Sequence, residues 1–188
     1  TENEKWLLTH WVTSGAYMEQ GNTSLAETKD LKSKVLSFLG ADEKVLPAKS
    51  SDLSKLLALG FRIQPNALHD NLLKVKLMKP KWSEDHLKTL LKIKNQLLEL
   101  DVSNTYFDDD MAAILADFPR LKVLRMDHTP ISDTTLSYLE NSNLEILNLC
   151  NTQVTHKGVE ALLKKASLKT IYAWNTKVNI DQQKQLAS

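Results

Sequence analysis

Residues Leu147 to Thr155 read LNLCNTQVT and contain the chain's single cysteine, Cys150, with His156 immediately after. A thiol beside hydroxyl groups and a nearby imidazole are the ingredients of a cysteine nucleophile and its general base. Such a site also needs a third group to orient the base, and no nucleophile–base–orienter set emerges from the sequence. The five histidines, His10, His69, His86, His128 and His156, show no metal-ligand spacing with one another or with Cys150. His10 follows Trp6 by one helical turn and reads as a packed or interfacial residue, while His128 and His156 fall in expected solvent-facing turns. The acidic run Asp108–Asp110 lacks the D-x-D-x-D-G pattern of a calcium loop. It is better placed to open a helix, whose N-terminus favours negative charge. Asn22-Thr23-Ser24 is a formal glycosylation sequon, with meaning only outside bacteria. No catalytic residue, cofactor or metal is therefore expected.

Composition narrows the classes further. A net charge of +1 gives no basic face for nucleic acid, and no nucleic-acid partner is expected. The 188 residues, 42% of them hydrophobic, suit one or two domains with a real core. No apolar run approaches the roughly 18–20 residues that cross a membrane. One cysteine forms no internal disulfide, so cysteine usage leaves the compartment open. The opening TENEK is polar and lacks a starting methionine, so no signal peptide is visible and the chain is expected to be a processed or excised piece of a longer protein.

Self-similarity accounts for Cys150 better than chemistry does. LEILNLCNTQVT from Leu144 aligns with LKVLRMDHTPIS from Leu121, with apolar residues at positions 1, 4, 6 and 11 and threonine at position 9. LLELDVSNTYFD from Leu97 and LKTIYAWNTKVN from Leu168 follow the same template, and LLKVKLMKPKWS from Leu72 is a looser copy with Pro80 at position 9. The starts lie 25, 24, 23 and 24 residues apart, which matches the leucine-rich repeat of 20–29 residues. Positions 4 and 6 alternate with polar residues, as in a strand with one buried face. Ser83, Asp108, Ser132, Thr155 and Asn179 then stand where helix caps belong, ahead of apolar residues at helical spacing. The expected fold is α/β, a leucine-rich-repeat solenoid with parallel strands on its concave face and helices on its convex face.

In that fold Leu100, Leu124, Leu147 and Ile171 form one buried row, and Val102, Met126, Leu149 and Ala173 the next. Thr105, Thr129, Thr152 and Thr176 are expected to satisfy backbone groups where each strand ends. Positions 3, 5 and 7 face the concave surface, where solenoids bind partners. The middle row runs Lys76, Asp101, Arg125, Asn148, Tyr172, its first three members alternating in sign and able to pair laterally. The outer row runs Met78, Ser103, Asp127, Cys150, Trp174, so Cys150 sits between Asp127 and Trp174. With Ile146, the pair Tyr172 and Trp174 makes the C-terminal end apolar and aromatic, as interface anchors are. A tail residue such as Ile180 or Leu186 folding back is the competing use of that end.

Residues 51–64, SDLSKLLALGFRIQ, are expected to be a helix capped by Ser51 or Asp52 and stopped at Gly60, then a short strand, together covering the first end of a domain spanning 51–188. Residues 1–46 read as a separate helical segment, with one helix around Trp6, Leu7, Leu8, Trp11 and Val12 and a second around Leu31, Val35, Leu36 and Leu39. The ordered series LLTHWVTSGA, LALGFRIQP, NLLKVKLMKP and then the repeats resembles the C-terminal region of membrane-anchored c-type cytochromes of Bacteroidetes and Planctomycetes. Leu7, Leu8, Trp11, Gly15 and Ala16 carry the likeness to the last helix of that family's haem domain. The resemblance implies a periplasmic setting and a redox-associated parent chain. Two cysteines closely followed by histidine, the haem-attachment motif, are absent from these residues, so no haem ligand is assigned.

The leading functional expectation is a non-enzymatic scaffold whose concave face binds a protein partner or another domain of its parent chain. The alternative is an accessory region that supports electron transfer by a haem domain outside this chain.

Overall fold

The computed structural model describes residues 45–67 and 70–178. The helices expected before residue 45, His10, the sequon at Asn22, His69, and the tail residues Asn179, Ile180 and Leu186 lie outside the described residues. By its internal contacts the chain divides into two units, Thr1–Val45 and Leu46–Ser188, and the second holds the sheet.

It is an α/β unit built on one six-stranded sheet in the order β1 to β6. Helix α1 spans Ser50–Leu59 and strand β1 spans Phe61–Pro65. The helix starts one residue before the expected caps: Lys49 is the N-cap, and its carbonyl accepts from the N–H groups of Asp52 and Leu53. Gly60 ends it as expected, at φ 97°, a conformation costly for side chains. A Cβ at Gly60 would also meet the Lys79 stem at 3.0 Å. The chain then turns directly into β1, which runs antiparallel to β2 (Leu73–Leu77), with Phe61 opposite Leu77. Every later pairing is parallel, through β3 (Leu97–Asp101), β4 (Val123–Arg125), β5 (Ile146–Asn148) and β6 (Thr170–Tyr172).

The register follows the sequence period. Leu100 pairs with Leu124, Leu124 with Leu147, and Leu147 with Ile171. The first three of these are fully buried, as are Val102, Met126 and Leu149 beside them. Ile171 and Ala173 are only partly buried, because β6 is the last described strand and nothing described stacks beyond it. The inward side chains share one core with Leu90 of α2 (Glu84–Leu91), Leu136 of α3 (Asp133–Tyr138), and Val159 and Leu162 of α4 (His156–Leu163). Burying a leucine of this kind contributes roughly 1.5–3 kcal/mol relative to leaving it exposed.

The strand ends share one construction. Position 8 of four units, Asn104, His128, Asn151 and Asn175, is left-handed at φ 54° to 59°. Asparagine and histidine occupy that region several-fold more often than most residues. One residue on, the threonine hydroxyl donates back to the position 6 carbonyl: Thr105 to Val102 at 2.6 Å, Thr129 to Met126 at 2.5 Å, Thr152 to Leu149 at 2.6 Å, and Thr176 to Ala173 at 2.8 Å. Three of these threonines are buried, where an unpaired carbonyl or hydroxyl would be costly. The backbone ladder also runs past the strands, with Asn104, His128 and Asn151 N–H groups donating to Asp127, Cys150 and Trp174 carbonyls.

Two helix expectations change. Residues after Asp108 form a 3₁₀ helix, Ala112–Asp117, instead of an α-helix, although Asp108 still accepts from the Met111 N–H at 3.2 Å. Pro119 disfavours helical geometry at Phe118, which sits at φ −101°, ψ 89°, and so limits the segment to a short, tight helix. Asp109, read as favouring the start of its own helix, serves the next unit. Its carboxylate accepts from the N–H and hydroxyl of Ser132 and of Thr135, at 2.6 to 3.1 Å. Asp133 repeats the arrangement one unit on, accepting from the Thr155 N–H at 2.7 Å and its hydroxyl at 2.6 Å. Thr155 is thus the N-cap of α4 by position, but its side chain makes no cap bond.

Candidate interaction face of the sheet

With one face of the sheet packed on helices, the other carries the side chains at repeat positions 3, 5 and 7. Lys76, Asp101, Arg125, Asn148 and Tyr172 lie directly opposite one another on successive strands, as the period predicts. Lys76 Nζ lies 2.8 Å from Asp101 Oδ2. The expected continuation to Arg125 does not form. Asp101 is already engaged, because its Oδ1 accepts from the Ser103 N–H at 2.9 Å and the Ser103 hydroxyl at 2.5 Å. Arg125 turns instead to Glu99 on the preceding strand, its Nε–H donating to Oε1 at 3.1 Å. Burial pushes the Asp101 carboxyl upward, but the Lys76 and Ser103 donors together outweigh it and hold the group below its ordinary value.

Asn148 is also committed. Its Nδ2 donates to Asp127 Oδ1 at 2.9 Å, and its Oδ1 accepts from the Cys150 N–H at 3.1 Å. Asp127 Oδ2 lies 3.2 Å from His128 Nδ1, on a side chain 54% exposed in the expected turn. Cys150 is half-buried beside this network as a free thiol. Further along the sheet, Ile146 is half-buried, whereas Tyr172 is 52% and Trp174 73% exposed. A cavity of about 430 Å³ opens at the edge of β6, where the inward residues Val159, Leu163, Ile171 and Ala173 line it together with Cys150, Tyr172 and Trp174. At repeat position 2, Glu145 bridges Lys122 at 3.3 Å and Lys169 at 2.5 Å. Those two lysines lower its carboxyl, but on an exposed surface such pairs contribute little.

Two residues read differently from the sequence. His156, expected in a solvent-facing turn, is the first residue of α4 and half-buried, and its Nδ1 has no hydrogen-bond partner among the described residues. His86, given no role from sequence, is buried at the base of α2. Its Nδ1 accepts from the Ser83 N–H at 3.1 Å, and its Nε2 lies 3.2 Å from the Leu59 carbonyl. Its ring lies 5.5 Å from Phe61 and 5.7 Å from Trp82, and Trp82 Nε1–H donates to Thr105 at 3.0 Å. These bonds tie α1 to α2 and make His86 a structural group. Its position three residues after Ser83, where a capping side chain belongs, was the available signal. Glu99 was likewise legible as the position 3 neighbour of Arg125.

The arrangement offers hydrogen bonds, charge and aromatic surface. Among the described residues no three His, Cys, Asp or Glu side chains gather as a metal site, and no helix among them is long and apolar enough to cross a membrane. No protein-family model matches the chain, and no curated protein matches it.

Proposed function

We propose that this chain is a non-enzymatic binding module, a leucine-rich-repeat solenoid whose concave sheet face engages a protein or another domain of its parent chain. The observation that carries the reading is the pair Tyr172 and Trp174, 52% and 73% exposed on the same sheet face as a polar strip whose members bond to one another. Large exposed aromatics beside a pre-ordered polar surface are typical of interface anchors, because they bury much area at little entropic cost. The repeat period, the parallel register and the shared row of buried leucines support the solenoid reading.

The test is replacement of Tyr172 and Trp174 together by serine, with proximity crosslinking of the full-length parent protein as readout. Partner crosslinks should disappear while thermal stability stays close to wild type. Undiminished crosslinking to every partner would sink the proposal.

A further inference from the structure

The polar strip is unequal in what it leaves open. Asp101 has both oxygens engaged, Oδ1 by Ser103 and Oδ2 by Lys76. Asp127 receives Asn148 on one oxygen and faces His128 with the other. Both ends of the Asn148 amide are committed. Glu99 Oε1 takes the Arg125 Nε–H. Arg125 is 43% exposed and bonds Glu99 through Nε alone, so its outer guanidinium nitrogens donate to no described residue. Most acceptors of the face are engaged internally, with Glu99 Oε2 left over, whereas Arg125 keeps its outer donors open. Two strands away, Tyr172 and Trp174 present apolar surface beside the cavity lined by Cys150 and Ile171.

We infer that the partner is a peptide segment presenting a carboxylate about 10 Å, two strand spacings, from an apolar side chain. The carboxylate sits on the open edge of Arg125, where the planar fork suits two-point recognition. The apolar side chain packs against Tyr172 and Trp174. A carbohydrate fits less well, since sugar hydroxyls must donate as well as accept and, Glu99 Oε2 apart, the carboxylate oxygens that would receive them are engaged. This rests on the binding-face reading above and adds the chemistry of the ligand.

The probe is a set of acetylated, amidated peptides in a serine–glutamine–alanine host. Each carries one leucine and one glutamate, at separations from two to seven residues. Binding to the full chain is followed by NMR at the Trp174 indole N–H and the Arg125 Nε–H. At least one spacing should bind saturably and move both signals. Changing its glutamate to glutamine should weaken it about tenfold, and changing its leucine to serine should do the same. In Arg125→Gln protein the glutamate and glutamine peptides should bind alike, while Arg125→Lys should restore part of the preference. Equal binding of glutamate and glutamine peptides by the wild-type chain overturns the inference and leaves the binding face intact. If no peptide moves Trp174 but cellotetraose or chitotetraose does, the ligand class is wrong. If the Tyr172→Ser/Trp174→Ser protein also keeps all its crosslinks, the face itself is wrong.

Discussion

At the scale of single residues, the strand-end turn joins two requirements that separate residues meet. Position 8 must enter the left-handed region, and position 9 must bond the carbonyl that the turn leaves behind. Asn104 is exposed and makes no side-chain bond within its turn, so it isolates the first requirement. Asn104→Ala should cost about 1 kcal/mol in urea denaturation, whereas Asn104→Gly should be close to neutral. Asp109 isolates a different requirement. Burial raises its carboxyl, but the Ser132 and Thr135 donors outweigh that and leave it below its ordinary value of 3.8. A carboxylate with a depressed folded pKa contributes stability that is present above the unfolded value and is lost as pH falls through the folded one. Asp109→Asn should therefore cost about 1–3 kcal/mol at neutral pH. The gap to wild type should shrink only as pH drops below about 4, as acid titration of thermal stability would show.

At the scale of elements, each unit is held partly by side chains that reach into the next. Asp133 accepts from Thr155 at the start of α4, and Gly158 in that helix leaves the carboxylate room. A Cβ at Gly158 would lie 2.6 Å from Asp133 Cγ and nearer still to Oδ1. Gly to Ala inside an exposed helix normally gains about 1 kcal/mol. Here Gly158→Ala should destabilise, because it displaces a carboxylate that holds two hydrogen bonds. The loss should shrink in an Asp133→Ala background, where the contact of the added Cβ with buried Leu136 Cδ1 at 3.0 Å remains, and a double-mutant cycle on melting temperatures tests both statements. The 3₁₀ helix at Ala112–Asp117 shows the same dependence on neighbours: its apolar spacing is helical, but Pro119 sets where it stops.

For the described unit as a whole, stability should be graded along the sheet. Every strand from β2 to β5 has neighbours on both sides, whereas β6 has one among the described residues. Leu147 is fully buried and Ile171, next to it in register, is only partly so. Leu147→Ala should lower global stability by about 2–5 kcal/mol. Ile171→Ala should cost less than half as much, with the loss appearing as faster hydrogen exchange in β6 and not in β3. Equal losses would show that the edge is as well packed as the centre.

The sequence by itself determined the period, and with it the strand register, the threonine turns, the side chains that face away from the helices and the buried rows as far as β5, their last members Ile171 and Ala173 being only partly buried. These are legible because they depend on spacing along the chain: side chains alternate in a strand, and a repeated unit stacks its equivalent residues. The left-handed position 8 was also present in the letters, as Asn, His, Asn and Asn, though it is easily passed over. Only the tertiary structure decided that Arg125 pairs with Glu99 instead of Asp101, that Asp109 and Asp133 serve the following unit, and that His86 joins α1 to α2. The reason is competition. A side chain with several acceptors in reach goes where one is still open, and which are open depends on every neighbour brought near by the fold. Cys150 illustrates both sides: its place in the repeat was readable from LNLCNTQVT, while its half-buried seat beside Trp174 exists only once β5 and β6 lie together.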